Sequence, residues 1–303
     1  MPRSAIIWTR SRELSLNVRY HRMHRTMISW SKCRPLKRSC AEVGSVIPAV
    51  IARHRTFQQF APEPPQLGKV NTNVGLKKIV EGAYLVYLGS ANAVLLDGGP
   101  ELALVDAGFP DKASLVFDAI RQLGRNTRDL RHLIFTHGHP DHIGSAAAIV
   151  RETGATTYMH ALDAPFAETG GPFRPMNPAP GLLSRTAYRF VWRPQKRMEP
   201  VRIDRHMADG EMLPIAGGLH VVHIPGHCAG QVAFLWQGER LLIAGDVGMN
   251  ILGLGDPVGF EDIEEGRRSQ RKVATLRFNA AVFGHGRPIH SGASERIRSK
   301  WGR

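Results

Sequence analysis

Cysteine is scarce in this chain, with only Cys33, Cys40 and Cys228 among 303 residues. So small and odd a number cannot supply a disulfide framework, and we therefore expect a reducing compartment, the cytoplasm. No apolar run approaches the roughly 20 residues that a membrane-spanning helix requires. Apolar stretches such as Leu241 to Ala244 have the length of strands. The sequence predicts a globular protein with no membrane partner.

Acidic residues are rare in the first part of the chain only. Residues 1–69 hold 13 Lys and Arg against three acids, whereas residues 70–303 hold 27 against 23. The net charge of +14 thus belongs mainly to this segment, which we interpret as a basic, disordered N-terminal extension. Three other interpretations stay open: a start assigned too far upstream, a targeting segment, and a contact with nucleic acid or a membrane surface. For residues 70–303 we expect a small-molecule substrate and not a nucleic acid.

The pattern of apolar residues changes from about Lys78 onward, where short predicted strands alternate with predicted helices. This alternation predicts a layered α/β domain. The predicted helices are 112–123, 144–152 and 263–276, and the predicted strands are 79–80, 83–88, 93–96, 102–105, 132–135, 156–159, 219–224, 232–236, 240–244 and 280–283.

Residues 164–205 interrupt this alternation. Several glycines and prolines are followed by an aromatic and basic stretch. We interpret the segment as a lid inserted over a site, with a helix that packs its rings, and binding of an anionic substrate by this stretch stays open as an alternative. The stretch comprises Arg185, Tyr188, Arg189, Phe190, Trp192 and Arg193.

One short segment concentrates ligand-type side chains. His137, His139, Asp141 and His142 place three imidazoles and a carboxylate within six residues, directly after an apolar strand. Imidazole nitrogen and carboxylate oxygen hold zinc, iron or manganese in proteins. The intervening glycine and proline allow a tight turn, so we expect these side chains to converge at the start of the helix 144–152. The segment predicts a metal site.

Three later positions repeat one arrangement, a ligand-type residue beside glycine just after an apolar strand. They are His227, Asp246 and His285. Functional side chains often lie at strand ends of layered domains, where loops bring distant segments together. We expect all three to meet the histidine-rich segment.

These segments together resemble the metallo-β-lactamase superfamily. The His-x-His-x-Asp-His run, the Pro-Gly-His, the Gly-Asp and the Gly-His-Gly occur in that family's order, across about residues 76 to 290. The resemblance implies an αββα sandwich, with two mixed sheets face to face and helices on the outer faces. It also implies two divalent metal ions, zinc or alternatively iron or manganese. In the implied set, His137, His139 and His227 hold the first metal, Asp141, His142 and His285 hold the second, and Asp246 bridges the two.

The resemblance also predicts roles for two further residues, Asp106 and Cys228. Asp106, in Leu-Val-Asp-Ala-Gly, resembles the family's earlier strand-end aspartate, which supports the site without binding metal. Cys228 follows a ligand at a position where relatives often have threonine, and it is either a soft auxiliary ligand or a small buried residue.

The resemblance is greatest to the single-domain hydrolases that are similar to glyoxalase II and to lactonases. Only 18 residues follow His285, which is too few for a glutathione-binding helical domain, and Asp246 argues against antibiotic hydrolysis. The implied reaction is hydrolysis of a small ester, thioester or lactone by a metal-bridging hydroxide, with Asp141 and Asp246 as catalytic carboxylates. Two alternatives stay open: a mononuclear iron sulfur dioxygenase using His137, His227 and Asp246, and a nucleic-acid-processing metallohydrolase.

Overall fold

The structure is a computed structural model that describes residues 75–191, 197–236 and 241–303. The basic extension 1–69, with Cys33 and Cys40, lies outside the described residues, and so do Trp192 and Arg193 of the predicted lid helix. The interpretations given for these residues therefore stay predictions.

Sixteen strands and seven α-helices are present in the described part of the chain. The strands are β1 Leu76–Val80, β2 Ala83–Tyr87, β3 Asn92–Asp97, β4 Leu102–Val105, β5 Leu130–Ile134, β6 Thr156–His160, β7 Asn177–Pro178, β8 Arg205–Met207, β9 Met212–Leu213, β10 Leu219–His223, β11 Val232–Trp236, β12 Leu241–Ile243, β13 Met249–Asn250, β14 Leu254–Gly255, β15 Gly259–Phe260 and β16 Ala280–Val282. The helices are α1 Ala113–Gln122, α2 Pro140–Ile143, α3 Ala146–Thr153, α4 Ala164–Thr169, α5 Leu182–Val191, α6 Ile263–Thr275 and α7 Ala293–Trp301.

Two mixed sheets organise these strands. The first has the order β1-β2-β3-β4-β5-β6-β8, antiparallel up to β4 and parallel from β4 to β8. The second has the order β16-β12-β11-β10-β9, in which only the β12–β16 pair is parallel. The strands β4, β5 and β6 run in the same direction, so their carboxyl-terminal ends lie at the same end of the first sheet. The carboxyl-terminal ends of β10, β12 and β16 likewise lie at the same end of the second sheet.

Three apolar clusters show how the layers pack. The middle cluster joins the facing sides of the two sheets, for example Leu85 and Val105 with Phe234 and Ile243. A second cluster joins the outer side of the first sheet to α1 and α3. The third joins the outer side of the second sheet to α6 and α7. Because helices cover both outer faces, the layers run helix, sheet, sheet, helix, and this confirms the predicted αββα sandwich.

The predicted helix 144–152 is wrong at its start. Residues Pro140–Ile143 form a separate turn, α2, and α3 begins only at Ala146. The break falls at Ser145, whose φ of −95° and ψ of 4° depart from helical values, whereas Gly144 keeps them. Gly144 packs closely on Pro110, since a Cβ there would lie 2.4 Å from Pro110 Cδ. The histidine-rich segment therefore has its own turn, set by Pro140 at the first helical position.

The predicted lid segment contains α4, β7 and α5 and is joined to the rest of the domain. β7 pairs with β15 in a small antiparallel sheet, and the Tyr188 hydroxyl donates to the Met176 carbonyl at 2.7 Å.

No helix in the described part of the chain is both long and apolar enough to cross a membrane.

Candidate metal centre

Three imidazoles from the two sheets converge on one point. His137 and His139 follow β5, and His227 follows β10. The His139 Nδ1 atom lies 3.1 Å from His137 Nε2 and 3.0 Å from His227 Nε2. All three side chains are buried, and with Cys228 they form a group whose ligand atoms lie close enough together to hold one metal ion. The turn that brings His227 here requires glycine, since Gly226 has φ +125° and a Cβ there would lie 2.1 Å from Gly266 N.

A second group lies beside the first and is formed by Asp141, His142 and His285. His285 Nε2 lies 3.1 Å from Asp141 Oδ2, and His142 Nε2 lies 3.7 Å from the same oxygen. Asp246 stands between the groups: its Oδ2 lies 3.5 Å from His227 Nε2 and 3.3 Å from His285 Nε2. All seven predicted ligands are therefore brought together, and their assignment to two metals remains a prediction.

A missing side chain makes room for this arrangement. A Cβ on Gly284 would lie 2.0 Å from Asp246 Oδ1 and 2.6 Å from His142 Cε1. The glycine before His285 therefore allows two ligand-type side chains to pack against the backbone of the last strand-end loop.

The outward-facing nitrogen of each imidazole also has a partner. His137 Nδ1 contacts Thr136 Oγ1 at 3.0 Å, and the other contacts join His227 Nδ1 to Gly259 O (2.8 Å), His142 Nδ1 to Asp106 Oδ2 (2.8 Å), His285 Nδ1 to Ser90 O (2.7 Å) and His139 Nε2 to Cys228 Sγ (3.2 Å). Such contacts fix the orientation of a ligating ring and the nitrogen that it offers to a metal.

Asp106 contacts both the histidine-rich loop and one predicted ligand, and its supporting role remains a prediction. Its carboxylate accepts hydrogen bonds from Thr136 N and Thr136 Oγ1, both at 2.8 Å, and contacts His142 Nδ1. Its φ of 66° lies in the left-handed region, where aspartate is tolerated better than bulky residues. One side chain therefore ties the end of β4 to the histidine-rich loop.

The first group is held in the neutral form that binds metal. Burial lowers the pKa of His137, His139 and His227, and it lowers that of His139 to about 3. Neutral imidazole has a free lone pair at physiological pH, so these rings need not lose a proton to bind a cation.

The second group is more strongly charged. Burial alone would lower the pKa of His142, but the surrounding carboxylates, Asp141 above all, raise it to about 9. Asp246 and Asp141 similarly outweigh burial and raise the pKa of His285. Burial alone would raise the pKa values of Asp141 and Asp246. The neighbouring His142 and His285 outweigh burial and hold both carboxyl pKa values well below the usual range. The carboxylates are therefore anionic, and cation binding would release protons from the rings.

Two buried polar atoms show that the residues fit a metal. His142 Nε2 and Asp246 Oδ1 are buried and have no hydrogen-bond partner within the described residues. Unpaired buried polar groups are costly, and a cation would satisfy both. The donor set of imidazoles and carboxylates suits zinc, iron or manganese.

Cys228 is a small buried residue that contacts the outer side of His139. Its Sγ lies 3.2 Å from His139 Nε2 but 3.7 Å from Nδ1, the atom that faces the other two imidazoles. Burial raises the pKa of its thiol well above the usual value, and the charges of Asp163 and Glu261 raise it further. This geometry favours a thiol that orients the His139 ring over a fourth ligand.

We therefore expect Cys228→Ala to weaken metal binding by about tenfold, the scale for losing the outer partner of a ligating histidine. Cys228→Ser, which keeps a hydrogen-bonding atom, should restore most of the affinity. Chelator competition measures both constants. A thiolate-to-cobalt charge-transfer band in the cobalt-loaded wild type would contradict this expectation, because it would make Cys228 a ligand.

Asp163, Arg174 and Glu261 form a network that was not predicted from the sequence. The fully buried Asp163 carboxylate accepts from Gly138 N and Gly230 N, each at 3.0 Å, and pairs with Arg174. Arg174 also donates to Glu261 at 2.8 Å. The network joins the two ligand-bearing loops to the lid segment. The available signal was position, because Asp163 follows β6 just as His137 follows β5.

A cavity of about 240 Å³ opens over the two groups. His139, Asp141, His227, Asp246 and His285 line its floor. The remaining lining is largely apolar and includes Phe109, Met176, Tyr188, Met249, Ile251 and Val258. Met176 and Tyr188 come from the lid segment, so this segment forms part of the wall.

Comparison with known proteins agrees with this site. The model of the metallo-beta-lactamase superfamily matches residues 86–285, so the chain belongs to that superfamily. The chain is 25% identical over 202 residues to "Probable metallo-hydrolase YflN" of Bacillus subtilis, covering 61% of this chain and 75% of that protein. It is also 25% identical over 215 residues to the atrochrysone carboxyl ACP thioesterase of Aspergillus fumigatus.

The second of these alignments covers 70% of this chain but only 41% of the fungal protein. Among solved structures, a beta-lactamase from Chitinophaga pinensis superposes with a TM-score of 0.56 at 21% identity, covering 75% of this chain and 90% of the other. At that identity, the structural likeness concerns the fold alone. The family and the buried ligand cluster confirm the prediction of a metal-dependent hydrolase.

Proposed function

We propose that the protein is a dinuclear metallohydrolase that cleaves a small ester, thioester or lactone. One observation carries the proposal: five imidazoles and two carboxylates form two adjacent groups, and Asp246 faces both of them. In this assignment His137, His139 and His227 hold one cation, and Asp141, His142 and His285 hold the other. A pair of bound divalent cations activates water and polarises the scissile carbonyl.

The residues around the cations would do the remaining work. Asp106 orients His142, and the carbonyls of Gly259 and Ser90 orient His227 and His285. Asp141 lines the cavity, and as an anionic carboxylate it would accept a hydrogen bond from the attacking water and orient it. The seven residues would thus be the metal ligands, and two of them, Asp141 and Asp246, would also be the catalytic carboxylates.

The cavity supports a small acyl substrate. A volume of about 240 Å³ with mainly apolar walls suits a short hydrocarbon acyl group beside the scissile bond. We also propose that residues 164–205 cover the bound substrate as a lid, since Met176 and Tyr188 line the cavity. The name of the fungal relative, an acyl carrier protein thioesterase, supports an acyl substrate.

The proposal predicts about two bound metal ions per chain. Elemental analysis of the full-length protein measures this number, and a panel of esters, thioesters and lactones with one common acyl group measures activity. Chelation should abolish hydrolysis, and zinc, iron or manganese should restore it. His285→Ala should lose metal and activity, whereas the exposed His206→Ala serves as the matched control. One iron per chain together with oxygen uptake would instead support the sulfur dioxygenase.

A further inference from the structure

A second cavity adjoins the cavity over the metal centre. This second cavity has a volume of about 600 Å³, and Ser90 and Ile251 line both. Ser90 also contacts the metal centre, because its carbonyl lies 2.7 Å from His285 Nδ1. The second cavity therefore begins at the edge of the metal centre.

The second cavity differs from the first in charge. Lys77 and Arg287 line it, both are exposed, and none of its lining residues in the described part of the chain is acidic. Arg287 lies two residues beyond His285 on a fixed backbone: its N donates to Asn250 O at 2.8 Å, and Asn250 Nδ2 donates back to Arg287 O at 2.7 Å. Two cations without a neighbouring carboxylate in the wall favour an anionic ligand. We call this cavity the cationic groove.

Building on the proposed hydrolysis, we propose that the cationic groove binds an anionic leaving group, a carboxylate or a phosphate. The apolar acyl part of the same substrate then occupies the cavity over the metal centre. Hydrolysis adds water across the acyl carbon–sulfur or carbon–oxygen bond. The acyl part leaves as a carboxylic acid, and the anion-bearing part leaves as a thiol or an alcohol.

The charges of Lys77 and Arg287 are complementary to an anionic small molecule, and the position of the groove beside the metal centre suits one part of a substrate whose other part is cleaved there.

Binding of inert analogues tests the groove without relying on turnover. S-hexyl 3-mercaptopropionate and S-hexyl 3-mercaptopropionamide have the same size and differ by one negative charge. Calorimetry on the metal-loaded full-length protein should show that the carboxylate binds about three- to tenfold more tightly, the scale for one or two exposed ion pairs. S-hexyl coenzyme A, measured alongside, distinguishes a phosphate-bearing ligand from a simple carboxylate.

Variants separate the groove from direct binding to metal. The double variant Lys77→Gln/Arg287→Gln should abolish the preference for the anion and leave the affinity for the amide unchanged. The control Arg128→Gln/Lys300→Gln removes two exposed cations elsewhere and should retain the preference. Equal affinity of the wild type for both analogues, or a preference that survives in the Lys77/Arg287 variant, would overturn the proposal.

Turnover tests the underlying hydrolysis separately. The corresponding hexanoyl thioesters should be cleaved with a higher KM for the amide form, whereas kcat should be similar for both. If the analogues show the expected binding but no ester, thioester or lactone is cleaved, the proposed function fails and the anion site stands. If both thioesters are cleaved but the analogues bind alike, the groove proposal fails alone.

Discussion

Asp246→Asn is expected to lower kcat for ester or thioester hydrolysis at least a hundredfold, since loss of a supporting contact outside the ligand set already costs about 10–100-fold. The Asp246 carboxylate faces His227 on one side and His285 on the other, at 3.5 and 3.3 Å. Asparagine keeps the shape but removes the negative charge that would hold two cations at close range. We therefore also expect fewer metal ions per chain, measured by elemental analysis alongside kcat.

Asp209→Asn is the matched control, because Asp209 is an exposed carboxylate whose ion pair with Lys272 lies on the surface. It should leave metal content and kcat unchanged. Wild-type turnover and metal content in Asp246→Asn would show that Asp246 is not a bridging ligand, and the dinuclear assignment would fail with it.

Asp163→Asn is expected to reduce both stability and metal affinity. The carboxylate of Asp163 is fully buried, accepts two backbone N–H groups and pairs with Arg174. An amide offers one oxygen, so one N–H would face an NH₂ group and Arg174 would lose a buried partner. Breaking such a pair costs about 3 kcal/mol, and misplacing the two ligand loops should weaken metal binding by about tenfold or more.

Urea denaturation measures the free energy of unfolding, and chelator competition measures the metal affinity. Glu199→Gln is the control, because it breaks an exposed pair with Arg151 and should change little. Unchanged metal affinity in a destabilised Asp163→Asn would show that the network supports the fold but does not position the ligand loops.

Much of the fold could be predicted because the strands are short apolar runs ending in turn residues. The period of apolar residues gave α1 and α6 within about a residue, and the ligand-type residues at strand ends pointed to one edge of each sheet. Four predicted ligands follow β5, and the other three follow β10, β12 and β16, which point the same way. The order and register of the strands could not be predicted, because they depend on contacts between strands that are distant in sequence.

The remaining parts depend on tertiary contacts that carry no local signal. The break between α2 and α3 falls at Ser145, whose hydroxyl accepts from Lys112 N and donates to Phe109 O, both more than 30 residues away in sequence. The short strand β7 exists through its pairing with β15, and one of its two residues is a proline. Asp163 follows β6, but its role was not predicted because its backbone partners, Gly138 and Gly230, meet it only in the folded chain.

The division of ligands between the sheets has a thermodynamic consequence. His137, His139, Asp141 and His142 follow strand β5 of one sheet, whereas His227, Asp246 and His285 follow strands of the other. Any cation held between them would act as a cross-link that only the folded chain can form. By mass action, the fraction of folded molecules then rises with free metal concentration, so metal supply would govern the lifetime of the protein as well as its turnover.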